Sequence, residues 1–348
     1  MHTDQSHKFI TPADDLAGLI NDKANHLYQQ LAVLDISDTE IDAFGKHYFN
    51  SHHGGRRLFF SIQSSADIIY HSVKKTNREI SQLCFIDYGA GLGTLFLLAG
   101  TVGFKQVYFN DYFPQWAAYA KIICKKLGIV IDDFISGDID AVIDYAKANN
   151  LKFDIVASRN VVEHIYNLRN FYTKLYQSDI TGLCYATTTA NYHNIAMRLK
   201  HYGLHKKTES TIYRKQREDY IKELVPGISS KDLLQLARHT RGRAFTDMTN
   251  AIDLYLDKKP IPPVEFLGTN TCDCRTGVWA EHLITRKNYL DIIEKAGFTA
   301  TYTAGFWDTN YKYAVVNLLT GALNRMINIF GAKGYWFAPF VNIVASKK

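Results

Sequence analysis

The chain has 348 residues, 47% of them apolar and 21% charged, with a net charge of +6. That length supports a sizeable core in one large domain or two smaller ones, and the composition excludes a disordered or fibrous chain. The mild positive charge permits an anionic substrate or a nucleic acid and requires neither. Cys84, Cys124 and Cys184 sit inside apolar runs, and with Cys272 and Cys274 they make no disulfide framework. The first residues, Met1-His2-Thr3-Asp4-Gln5-Ser6, are polar, so no secretory leader is expected. The strongest apolar run, 95–104, is too short to span a bilayer. A cytoplasmic protein is expected.

Residues 1–80 read as a helical segment. Asp14-Asp15 precede a periodic apolar stretch at Leu16, Leu19, Ile20, Leu27 and Leu31. His52-His53-Gly54-Gly55-Arg56-Arg57 reads as a loop, either exposed or covering a ligand, and helical spacing resumes over 58–73. The pattern then changes. Strands are expected at 83–86, 106–109, 133–136, 153–157 and 183–188, with helices at 94–99, 116–127 and 139–148 between them. Such alternation implies right-handed crossovers and a parallel, doubly wound α/β sheet. From 191 to 284 the rhythm breaks, and helices are expected at 211–224, 230–239 and 247–256. The α/β pattern returns with a helix over 286–296 and strands over 299–304 and 336–345. Three regions follow: a helical segment at 1–80, an α/β domain at 81–190 and 285–348, and a mainly helical insertion at 191–284 after the fifth strand.

The turn after the first strand reads Asp87-Tyr88-Gly89-Ala90-Gly91-Leu92-Gly93. Glycines let a backbone turn tightly and let a ligand approach the main chain. Asp111 ends the second strand, where an acid accepts ribose hydroxyls. The dinucleotide pattern G-x-G-x-x-G is not met, because Thr94 and Phe96 stand where it needs glycine. No Gly-Lys-Ser/Thr follows, so the turn is no P-loop either. The glycine spacing argues against a nicotinamide-dependent oxidoreductase.

Asp87-x-Gly89-x-Gly91-x-Gly93 resembles motif I of the class I S-adenosylmethionine-dependent methyltransferases. Asn110-Asp111 resembles the acid after their second strand, and Ser136-Gly137-Asp138-Ile139 the acidic turn after their third. The run from Asp154 to His164 resembles their fourth strand and its exit. Its Val161-Val162-Glu163-His164 is closest to the small-molecule subgroup typified by quinone biosynthesis. The resemblance covers roughly 84–190 and 285–347. It implies a Rossmann-like methyltransferase sheet, S-adenosyl-L-methionine as cofactor and S-adenosyl-L-homocysteine as product. By position, Gly89, Ala90 and Gly91, with Asp87 and Gly93 in the same turn, would face the methionine moiety, and Asp111 would bind the ribose. Asp138 would accept from the adenine amine with Ile139 against the ring. Tyr112 and Phe113 would flank the adenine, and Asn160 and Val161 would lie near the sulfonium. Each of these acids has an ordinary alternative as a strand-end carboxylate.

Methyl transfer from a sulfonium is one displacement, so alignment is the main requirement, and a base helps when the nucleophile is a hydroxyl. His164, at the exit of the fourth strand, is the candidate base; the alternative is a structural histidine. His193, Arg198, Asn270, Trp279 and His282 are the candidate substrate contacts. The basic stretch from Arg198 to Arg217 could meet an anionic group or be a solvated helix face. Cys272, Cys274 and His282 lack the paired spacing of structural zinc sites, so no metal is expected. The acceptor is expected to be a small molecule, anionic or aromatic, methylated at oxygen. No nucleic-acid partner is expected, because the fourth-strand exit lacks the Asn/Asp-Pro-Pro-Tyr/Phe sequence of amino-methylating DNA enzymes. An RNA methyltransferase and a catalytically inactive cofactor-binding partner remain the alternatives.

Overall fold

In a computed structural model of the protein, residues 7–347 are described. The polar start, Met1 to Ser6, lies outside them. The N-terminal segment contains α1 (Asp15–Val33), α2 (Ala43–His53) and α3 (Arg56–Thr76). Asp14 caps α1 by accepting from the Ala17 N–H at 2.9 Å. The buried stripe of α1 is Ala17, Ile20, Ala24, Leu27 and Leu31, the helical period visible in the sequence. The expected loop at 52–57 is corrected. His52 and His53 close α2, and the break is confined to Gly54-Gly55, with Gly55 at φ +54°. Few large apolar residues mark α2; its buried positions are Gly45, Phe49 and His53, so no periodicity announces it.

The α/β rhythm follows as β1 (Cys84–Tyr88), α4 (Leu95–Ala99), β2 (Gln106–Asp111), α5 (Pro114–Leu127), β3 (Asp133–Ser136), α6 (Ile139–Ala148), β4 (Ile155–Arg159), α7 (Leu168–Ser178) and β5 (Leu183–Thr188). The insertion holds α8 (Ile195–Thr208), α9 (Arg214–Leu224), α10 (Ser230–His239) and α11 (Phe245–Leu256). The chain closes with α12 (Arg286–Lys295), β6 (Thr299–Ala304), α13 (Ala314–Phe330) and β7 (Val341–Ser346).

The seven strands form one doubly wound sheet in the order β3-β2-β1-β4-β5-β7-β6. Strands β1 to β5 pair in parallel, but β7 runs antiparallel to both β5 and β6. The parallel, doubly wound expectation describes β1 to β5, and the β7 edge is antiparallel. Ala304, the end of β6, pairs with Val341, the start of β7, so the chain re-enters the sheet where it left and needs no crossover. The strand begins at Val341 rather than Trp336, because 331–336 wind into a 3₁₀ turn.

Alternation along the strands sorts the core onto two faces. Phe85, Val107 and Phe109 face one side with α1, α3, α4 and α5. Ile86, Tyr108 and Val156 face the other with α6, α7 and α12. The N-terminal helices therefore share the sheet's own core. The insertion has a small core of its own: Ile221, Leu236, Ala237, Met248, Ile252 and Cys274. No helix among the described residues is long and apolar enough to cross a membrane.

Arg217 departs from both readings of the basic stretch, since it neither meets solvent nor is free for an anionic ligand. It is fully buried, paired with Glu209 of the π-helical turn Glu209–Tyr213, and donates through Nε to the Ala237 carbonyl at 3.1 Å. Thr271 donates to the same carboxylate at 2.7 Å, tying the turn to the loop that follows α11. Removing one partner of a buried pair strands the other charge. Arg217→Ala is expected to cost about 3 kcal/mol in urea unfolding, and Arg217→Met with Glu209→Gln less. An unchanged midpoint for the single variant would contradict this role.

Candidate active site

The turn between β1 and α4 is held by two buried carboxylates. Asp87, near the end of β1, accepts from the Phe96 N–H at 2.9 Å and so fixes the first turn of α4. Burial pushes its carboxyl up to about 8, against the pull of the Arg159 guanidinium and the Phe96 hydrogen bond. Asp111, the last residue of β2, accepts from the Gly91 N–H at 2.9 Å and from the Phe113 N–H at 3.1 Å. Burial raises its carboxyl as well, and those backbone hydrogen bonds oppose the rise. The turn also closes on itself, with Ala90 N–H donating to the Asn110 carbonyl at 2.8 Å and Gly93 N–H to the Ala90 carbonyl at 2.9 Å.

Gly89 is required twice. Its φ is +70°, and a Cβ there would lie 2.6 Å from Cγ1 of Val161. Gly91 has φ +51°, and only the Tyr48 hydroxyl, at 3.5 Å, lies in the direction of its missing Cβ. That space above the main chain is what a ligand approaching the backbone needs.

A cavity of about 240 Å³ opens on this turn. From the turn it is lined by Asp87, Gly89, Ala90 and Gly93, and from the exit of β4 by Arg159, Asn160 and His164. The N-terminal helices add Tyr48, His52, His53 and Ser61, and the segment after α11 adds Glu281. His53 donates from Nε2 to the Leu92 carbonyl at 2.5 Å, so its Nδ1 is an acceptor; that atom is buried and has no partner. Burial lowers its pKa to about 4, so the ring is neutral. Arg159 donates to the Ser61 carbonyl and to Ser64 Oγ, each at 2.8 Å, fastening α3 to the end of β4. Sequence reasoning missed Tyr48 and Arg159, of which Arg159 carried a signal, a cation interrupting an otherwise apolar strand. Glu281 falls in the polar cluster Trp279-Ala280-Glu281-His282 but was not singled out from it.

Asn160 is held at φ +57°; its N–H donates to the Thr187 carbonyl at 2.8 Å and its side-chain oxygen accepts from the Thr189 N–H at 3.2 Å. Val161 packs on Gly89. Gly91, Asp111 and Val161 are not among the residues that line the cavity, and neither are four further expected cofactor contacts. Asp138 is exposed and caps α6, accepting from the Asp140 N–H at 3.0 Å. Ile139, the first residue of α6, is buried in the core. Tyr112 and Phe113 are exposed and meet edge to face at 5.0 Å.

His164 lies against the loop that follows α11. Its Nδ1 donates to the Trp279 carbonyl at 2.8 Å, which leaves the lone pair on Nε2. One ligand-type atom from each of Glu163, His164 and Glu281 lies within 4.8 Å of the others. No other grouping of three His, Cys, Asp or Glu side chains occurs among the described residues. Glu163 is fully buried, neither carboxylate oxygen has a hydrogen-bond partner, and burial raises its pKa. Glu281 sits at φ +61°.

The five expected substrate contacts do not line this cavity. His193 Nε2 accepts from the Arg286 N–H at 3.0 Å, and Arg198 lies over the Tyr192 ring at 5.3 Å. Asn270 is buried, and its amide is spent on the backbone of Phe266 and Leu283. Trp279 and His282 stack at 4.1 Å and line a second cavity, of about 280 Å³, with Tyr166 and Arg169. Cys272 and Cys274 are buried thiols whose pKa values burial raises, so they pack as small apolar groups.

A family model described as a methyltransferase domain matches residues 86–178, the segment that carries the glycine turn, Asp111 and His164. That segment carries a methyltransferase domain. No curated protein matches it. A methyltransferase of this cofactor class from Mesorhizobium loti is 14% identical, over 80% of this chain and 98% of that one, with a TM-score of 0.41. The magnesium protoporphyrin IX methyltransferase from Synechocystis, solved with bound SAH, is 12% identical, over 88% of this chain and 96% of that one, with a TM-score of 0.43. The turn suits S-adenosyl-L-methionine: the main chain is open above Gly91, and the buried Asp111 carboxylate stands beside it.

Asp111→Ala is expected to weaken S-adenosyl-L-methionine binding by at least about 1 kcal/mol in calorimetry, since hydrogen bonds to an ionised acceptor are worth about 1.5–3 kcal/mol. Unchanged affinity would mean that another acid holds the ribose. Gly89→Ala is expected to lower the melting temperature, and adding Val161→Ala to restore only part of the loss, because the positive φ remains. Full recovery would show that the contact alone requires glycine.

Proposed function

We propose that the enzyme methylates a hydroxyl of a small molecule by in-line displacement, with His164 as general base. One observation carries this reading. Nδ1 of His164 is held by the Trp279 carbonyl, so the basic nitrogen, Nε2, belongs to a ring that lines the same cavity as the glycine turn. The cofactor, when bound, supplies a methyl group on a sulfonium, which is already activated for displacement. The protein's part is to align the acceptor oxygen, exclude water and take the proton. Nε2 of His164 would take the proton of the acceptor hydroxyl, with the Glu163 and Glu281 side chains beside the ring.

In this reading Gly89, Ala90, Gly91 and Gly93 hold the methionine moiety, Asp111 the ribose, and Asn160 and Val161 flank the sulfonium. Asp138 keeps a role at the adenine only through the oxygen that does not cap α6. The segment 191–284 acts as the substrate cap, supported by the reach of Glu281 into the cavity. The N-terminal segment covers the cofactor, supported by Tyr48 and His53 in the lining. Val161-Val162-Glu163-His164 favours an acceptor like those of the quinone-biosynthesis subgroup. All five cysteines are unpaired, which favours a reducing, cytoplasmic location.

His164→Ala is expected to lower kcat by about 10²-fold or more while cofactor affinity stays within about twofold. Acceptors can be found by screening small-molecule extracts for mass gains of one methylene. Wild-type turnover retained by His164→Ala would assign the ring to structure, and tight cofactor binding with no turnover on any acceptor would favour an inactive partner.

A further inference from the structure

The connection between β6 and β7 carries α13 with its polar and apolar faces reversed. Its inward side is polar. Asn317 exchanges hydrogen bonds with the backbone of Tyr311, at 2.6 and 2.9 Å. Asn324 does the same with Trp307, at 2.8 and 2.9 Å. Thr320 and Ile327 are the residues of α13 that are buried. These four bonds fix the helix in rotation, so its leucines cannot turn inward. Val315 is 69% exposed, Leu318 74%, Leu319 60% and Ile329 79%. Their spacing puts them on one stripe of the helix.

The surroundings of this stripe are cationic. No aspartate or glutamate occurs in 309–348. Lys312, Arg325 and Lys333 are exposed and form no ion pair among the described residues. Amphipathic aromatics stand at both ends of the helix: Tyr313 before it, and Phe330 and Trp336 after it, all exposed. Trp336 stands 5.9 Å from His193, two residues before the exposed Ile195 of α8, where Leu199 is also exposed and Arg198 and Lys200 add positive charge.

We propose that α13 and the turn at 331–336 seat this enzyme on the surface of an anionic lipid bilayer. An exposed apolar stripe on a segment without acidic residues, flanked by lysine, arginine and interfacial rings, matches the apolar boundary and negative headgroups of such a surface. A second copy of this chain would bring the cations of the two copies together, which disfavours it as the occupant. The helix lies in the interface plane. The docking does not rest on the proposed acceptor or on His164, and its test needs no turnover.

The test is co-sedimentation of the full chain with vesicles of phosphatidylcholine alone, and of phosphatidylcholine with roughly a third phosphatidylglycerol. Binding is expected to the anionic vesicles, at least about tenfold above the neutral ones, and to fall as salt is raised. Leu318→Glu with Leu319→Glu is expected to abolish it. Val130→Glu, an exposed apolar site between α5 and β3, should leave it intact. Both variants change exposed side chains, and circular dichroism confirms that they are folded. No binding by the wild type, equal binding by the double variant, or a self-associated species that the double variant dissolves would each overturn the proposal.

Discussion

The site depends on how a strand's end can hold a glycine turn open. Backbone N–H groups that face a ligand have no secondary-structure partners, so the turn must be held from behind. Here two carboxylates do this from adjacent parallel strands. Asp87 holds the Phe96 N–H and Asp111 holds the Gly91 N–H. Both are buried, and burial raises the pKa of both, so each is kept at a desolvation cost that the backbone hydrogen bonds offset. Val161 then closes the turn from the exit of β4, leaving no room for a side chain at position 89.

The rest of the molecule can be read as support for that turn. Ser61 and Ser65 of α3 each bond the Thr94 hydroxyl, at 2.9 and 2.8 Å, where α4 begins. Arg159 ties the same helix to β4. The N-terminal helices thus lie on the sheet and the site at once. From the opposite side, the loop after α11 reaches His164 through the Trp279 carbonyl and brings Glu281 beside it. The site is assembled from three segments that are distant in sequence, and only the middle one matches the methyltransferase-domain family.

Legibility followed the physical signals available. The strands were readable because short apolar runs end in glycine, asparagine or aspartate, and the glycine turn because its spacing is specific. Helix α2 was not, since a helix whose buried positions are Gly45, Phe49 and His53 shows no stripe. Helix α8 was read only as a cationic stretch, because its buried residues are His201 and His205. Helix α13 was passed over although it is rich in leucine and isoleucine; there the apolar face points outward. Some candidate side chains serve the backbone. Asn270 spends its amide on main-chain groups and His193 accepts from Arg286, and a sequence cannot distinguish such anchors from ligand contacts. Glu281 stood out only as part of the polar cluster Trp279-Ala280-Glu281-His282, because a loop without periodicity does not show which of its side chains turns inward.

The account stands on the cofactor, because every proposed role is placed relative to it. Isothermal calorimetry of the full chain against S-adenosyl-L-methionine and, separately, NAD tests this most directly. The glycine spacing and the paired carboxylates predict saturable binding of S-adenosyl-L-methionine with one site per chain, and no binding of NAD. Binding of NAD without S-adenosyl-L-methionine would contradict the account.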